Sequence, residues 1–182
     1  MKKYSIEKYI AVGVVVLGAV LLRLVPHLPN VAPIGALALF SGAILSGPVG
    51  FAIPLVAMGI SDIFLGFHST IPYVYGSFLL IGGIGYMIRK KTSPLTIALA
   101  SLCGSLLFFV VTNFGSWLTS PLYQKNMSGL LQSYVMGLPF FRNTLLGDLF
   151  YNAVFFVGYR TLLHLSKQIV FNARRWFGYY LS

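Results

Sequence analysis

GPVGFAIPLVAMGISDIFLGFHSTIPYVYG, residues 47–76, is an almost wholly apolar run that carries Asp62 in its interior and His68 in the short polar break before residue 71. The chain has only three acidic residues, Glu7, Asp62 and Asp148. A charge at mid-depth of a bilayer-length segment costs about 2.5–3.5 kcal/mol on insertion scales. An acid retained there marks either a function or a buried partner, and the segments around it read as a bundle of membrane helices.

Composition agrees. Hydrophobic residues make up 57% of the 182 residues and charged residues 9%, against about 25% charged in soluble domains. Mean hydropathy is +0.83. The net charge of +10 does not indicate a nucleic-acid partner, because the basic residues fall in short clusters between apolar runs, as topology signals do. The single cysteine, Cys103, excludes an internal disulfide and a cysteine-based zinc site.

Working outward from residues 47–76, the pattern predicts an all-α polytopic membrane protein, one membrane domain over 1–182. Six transmembrane helices are expected at about 9–25, 31–46, 48–67, 71–88, 95–117 and 143–163, followed by a basic, aromatic tail, 164–182. The first is read as an uncleaved helix, since LLRLVPHLP lacks a small-x-small cleavage site. Gly47-Pro48 supplies a helix stop and a new first turn. Ala38, Gly42 and Ser46 form a small-residue ladder that lets another helix approach closely. Leu130, Leu131, Tyr134, Val135 and Leu138 recur at helical spacing, which predicts a separate amphipathic segment in the loop before the last helix.

With a cytoplasmic N-terminus, Lys2, Lys3, Lys8, Arg89, Lys90, Lys91, Arg160, Lys167, Arg174 and Arg175 fall inside, and Arg23, Lys125 and Arg142 outside. That bias orients both termini to the cytoplasm of a bacterial inner membrane. Under this topology Arg23, His27, Asp62, His68, Tyr73, Tyr75, Asn113, Trp117, Tyr123, Tyr134, Arg142, Asn143 and Asp148 gather toward the exterior. Aromatic walls with a few hydrogen-bonding groups are how small-molecule sites are built. The expected ligand-binding set is Arg23, His27, Asp62, His68, Tyr75, Asn113, Trp117, Tyr134, Arg142, Asn143 and Asp148.

Each has a plainer reading. Asp62 either contacts ligand or pairs with Arg23 to hold helices. Asp148 and Asn152, four apart on one helix face, contact substrate or hydrogen-bond neighbouring helices. Trp117, Tyr123 and Tyr134 are pocket walls or an interfacial belt. His27, His68 and Asp62 match no tight metal motif. Ser61 or Ser69 with His68 and Asp62 lacks a nucleophile elbow, and no P-loop is present. The chain is therefore expected to be no enzyme and to need no cofactor.

APIGALALFSGAILSGPVGFAIPLVAMGISDIFLG (residues 32–66) resembles the second and third helices of the substrate-binding (S) components of energy-coupling-factor vitamin transporters, and LPFFRNTLLGDLFYNAVFFVGYRTLL (residues 138–163) resembles their last helix. The chain is also similar to an uncharacterised group of small bacterial membrane proteins with RLVPHLPN-type and GFH-type segments. The first resemblance implies a bundle that binds a vitamin-like molecule from outside, with His27 and its loop, Phe67 to Tyr75, and Trp117 to Arg142 closing over it. It also implies docking on a membrane coupling protein that carries ATPase subunits. The usual Ala-x-x-x-Ala docking motif is not kept, since Val15 follows Ala11 and Leu22 follows Gly18; the Ala38–Gly42–Ser46 ladder is a possible substitute, and a solitary member is an alternative. The rival class is a non-transporting scaffold or assembly factor of the cell envelope.

Overall fold

The computed structural model describes residues 6–25, 30–45 and 47–180, with the side chains of 6–9, 167 and 169–180 excepted. These residues form six helices and no strand: α1 (Ile6–Leu24), α2 (Ile34–Ile44), α3 (Pro48–Leu65), α4 (Ile71–Ile88), α5 (Pro94–Thr119) and α6 (Met127–Tyr180). The α3, α4 and α5 helices are each long and apolar enough to cross a membrane.

Much of the outer surface is greasy. On α5, Leu95, Leu99, Leu102, Leu106, Val110, Phe114 and Leu118 are exposed, one turn apart along a single face. On α1 the same is true of Ile10, Val14, Leu17 and Leu21. Apolar stripes turned outward suit lipid better than water.

Inside lies α2, uncharged and buried along nearly its whole length. It packs against all five other helices. Its 11 residues extend only about 16 Å, roughly half of a hydrocarbon core of about 30 Å. Instead of starting near residue 31, the helix begins after Pro33, whose ring suits a helix start.

Close approach explains how α2 is accommodated. A Cβ on Gly42 would overlap the Gly82 carbonyl oxygen, and one on Gly85 would overlap that of Leu39. The α2 and α4 backbones therefore touch at glycines. On the α3 side, Pro54 has no N–H to offer the carbonyl of Gly50 four residues earlier. The Ser41 hydroxyl of α2 donates to that carbonyl at 2.6 Å, so the proline leaves no orphan acceptor in the interior.

Two expectations are corrected here. Ala38 and Gly42 are buried against the bundle's own helices, so they are not a docking face for another protein; Ser46 lies outside the described residues. The amphipathic segment is not a separate element but the first part of α6, which runs unbroken for 54 residues through Pro139. An internal proline removes one helix hydrogen bond without ending the helix when packing holds both sides. That packing is a row of small residues: Gly129, Ser133 and Gly137 are buried, while Leu131, Val135 and Leu138 face out.

The α5 and α6 helices run antiparallel. Tyr134 donates to the Val110 carbonyl, Phe109 meets Phe141, Ser105 meets Asp148, Asn152 meets Ser101, and Arg160 bonds Thr92. This register sets α6 beside α5 from Tyr134 to Arg160, not from residue 143. It also puts Asp148 opposite the middle of α5 rather than at a helix end.

Candidate functional site

A cavity of about 520 Å³ opens between α1, α2, α3, α4, α5 and α6, within the range of about 300–1,000 Å³ for small-molecule sites. Arg23 at the end of α1, Leu65 at the end of α3, Thr70 and Val74 at the start of α4, and Ser116 near the end of α5 all line it. Those ends lie on one side of the bundle. Met58, Ile81 and Phe108 carry the lining deeper.

Arg23 comes from the last turn of α1. Its guanidinium donates to Asp62 Oδ1 at 2.7 Å, and the Tyr75 hydroxyl donates to Asp62 Oδ2 at 2.9 Å. Asp62 is 1% exposed and does not line the cavity. It stands one layer behind Arg23, balancing its charge and tying α1, α3 and α4 together. Arg23 Nε is buried without a partner.

Asp148 lines the cavity from α6. The Ser105 hydroxyl donates to its Oδ2 at 2.7 Å, and the Ala36 backbone N–H also bonds its carboxylate. Ala36 belongs to the first turn of α2, whose N-cap Pro33 makes no side-chain capping bond. Asp148 therefore caps α2 from another helix, its negative charge set against the positive end of the helix dipole. The arrangement needs Gly35, where a Cβ would stand 2.6 Å from Asp148 Oδ1. One turn along α6, Asn152 Nδ2 donates to Ser101 Oγ at 2.8 Å, which continues the polar α5–α6 seam.

Ser105→Ala removes a donor from a buried carboxylate and lowers the unfolding free energy by about 1.5–3 kcal/mol, against about 1 kcal/mol for the neutral bond lost in Ser101→Ala. Denaturant unfolding in detergent micelles measures both; equal losses would show that water replaces the Ser105 hydroxyl.

Asn113 and His68 also line the cavity. Asn113 Nδ2 is engaged with the Phe109 carbonyl at 2.8 Å. His68 Nδ1 lies 2.7 Å from Thr70 Oγ1 and is exposed, at the mouth. Of the expected set, then, the hollow collects Arg23, His68, Asn113 and Asp148. Asp62 and Tyr75 stand behind it, and His27 lies outside the described residues.

Trp117, Tyr134, Arg142 and Asn143 do not line it. Trp117 donates to the Gln124 carbonyl at 2.9 Å, and Lys125 bonds the Trp117 carbonyl, so this tryptophan organises the α5–α6 connection. Tyr134 is engaged with the Val110 carbonyl at 3.0 Å. Arg142 is exposed and Asn143 half-buried. Among the described residues, no three of His, Cys, Asp and Glu come together as a metal site.

Sequence reasoning missed Asn30, Thr112, Ser116 and Thr144 as polar lining, and Phe78, Phe108 and Phe140 as walls. A helical-spacing signal existed for some. Thr112 and Ser116 are four apart, as are Thr144 and Asp148, so each pair shares a face.

No curated protein and no solved structure matches the chain. A family model described as a family of unknown function, DUF6580, matches residues 3–170, and the chain belongs to that family.

Proposed function

We propose that the protein binds a vitamin-like small molecule or cofactor precursor in the bacterial inner membrane and takes it up from the outer face. In this reading six helices reach across or into the bilayer, both termini are cytoplasmic, and the cavity opens outward. The supporting observation is a hollow of about 520 Å³ on the side that the basic residues turn outward, with polar groups set among apolar ones. The half-length α2, whose N-terminus meets the hollow at Ile34 and Gly35, has the form of the interrupted helices that transporters place at their binding sites. The burial of Ala38 and Gly42 inside the bundle favours a solitary binding protein over one docked through that ladder on an ATPase-bearing coupling partner.

The full-length protein, purified in mild detergent and extracted, releases a small molecule detectable by mass spectrometry. A Thr112→Trp variant, which fills the hollow, releases little or none. In a Cys103→Ser background, His68→Cys reacts with a membrane-impermeant maleimide on intact cells, while Lys90→Cys reacts only after lysis. Protein that carries no compound and binds none across a vitamin panel, or labelling with the opposite sidedness, refutes the proposal.

A further inference from the structure

The charges lining the cavity do not cancel. Among its described lining residues the charged side chains are Arg23 and Asp148. The Arg23 charge is already met by Asp62 at 2.7 Å, which is the one ion pair among the described residues. The partners of Asp148 are a hydroxyl and a backbone N–H, both neutral. Counting Asp62 with Arg23, the hollow keeps one carboxyl group, Asp148, 5% exposed, which no cation among the described residues meets and whose ionised form is offset only by the partial charge of a helix end, about half a unit. Among the described lining residues an anionic ligand finds no free counter-charge, because Asp62 occupies Arg23 and Asp148 occupies the α2 N-terminus.

The walls add a second, independent constraint. Phe78 and Phe108 stack at 5.5 Å between centroids, and both line the hollow together with Phe140 and Tyr123. The faces of aromatic rings attract cations, more strongly where water is excluded. About 520 Å³ is also far more room than a bare metal ion fills.

We propose that the cavity takes a small organic cation, an amine or quaternary ammonium compound, with the Asp148 carboxylate as its counter-ion and the phenylalanine rings as its walls. This rests on the small-molecule reading above and specifies its chemical class.

The test is calorimetry on the full-length protein in zwitterionic nanodiscs, with benzyltrimethylammonium, benzyl alcohol and benzoate as a charge series and sodium chloride alone as a further arm. The cation is expected to bind about tenfold or more tighter than the neutral alcohol, with benzoate weakest. Asp148→Asn is expected to bring the cation down to the level of the alcohol and leave the alcohol unchanged. If that variant does not fold, the series on the unaltered protein decides alone. Benzyl alcohol or benzoate binding as tightly as the cation overturns the cation assignment but leaves a small-molecule site. Sodium alone reproducing the heat and displacing the cation overturns it in favour of an inorganic ion. No binding by any of the three aromatic compounds overturns this proposal, while the small-molecule reading falls only if the purified protein also carries no compound and binds none across the vitamin panel.

Discussion

Replacing Asp62 with alanine is expected to lower the unfolding free energy by about 3–5 kcal/mol, the cost of leaving a buried charge without its partner. The side chains of Arg23 and Asp62 are 11% and 2% exposed, so little water is available to solvate the guanidinium that remains. The same substitution strands the Tyr75 hydroxyl. Because the loss comes from the stranded cation more than from the bond, an Arg23→Met, Asp62→Leu double variant recovers most of the stability. Denaturant titration in detergent micelles distinguishes the two. A loss under about 1 kcal/mol for the single variant is the behaviour of a solvated surface pair, and would contradict the burial of this one. The double variant also separates structure from ligand recognition: it keeps the fold but removes the Arg23 side chain from the lining of the hollow.

The second large effect is expected where α2 and α4 meet. Gly42→Ala and Gly85→Ala each drive a methyl into a backbone carbonyl, and no rotamer change relieves a clash with main chain. Each is expected to destabilise by about 1–3 kcal/mol or more, and the pair together to abolish folded protein. Gly76→Ala and Gly83→Ala on α4 are the controls, since a Cβ at either meets nothing within 4 Å. These should be neutral or stabilise by up to about 1 kcal/mol through helix propensity. Yield of monodisperse protein and unfolding in micelles read all four. If Gly42→Ala behaves like Gly83→Ala, then α2 and α4 are not in backbone contact.

Both predictions concern residues whose partners lie far away along the chain, and there the legibility of the sequence ran out. The bounds of α4, residues 71–88, could be read directly, because Thr70-Ile71-Pro72 and Arg89-Lys90-Lys91 punctuate an unbroken apolar run. The start of α3 at Pro48 was equally local, since Gly47 takes φ +71° and proline fits the first helical turn. The end of α2 at residue 44 and the continuity of α6 through Pro139 were not legible. At Pro139, packing against α5 outweighed the local signal. Four of the eleven expected site residues reach the hollow: Arg23 and His68 at or just past helix ends, and Asn113 and Asp148 from within α5 and α6. Trp117, Tyr134, Arg142 and Asn143 occupy similar depths but point elsewhere, and rotation about a helix axis depends on neighbours rather than on composition.

Asp62 and Asp148 mark the boundary most clearly. The sequence by itself determined that both acids sit in apolar helices, that the chain is all-helical with bilayer-length segments, and that its basic residues are distributed asymmetrically. These follow from hydropathy, periodicity and the cost of burying charge, which act on each segment in isolation. Only the tertiary structure decided that Asp62 pairs with Arg23, while Asp148 caps α2 and faces the cavity with no cationic partner among the described residues. That division depends on which glycines and serines let the helices approach, and such contacts join residues as far apart along the chain as Gly35 and Asp148.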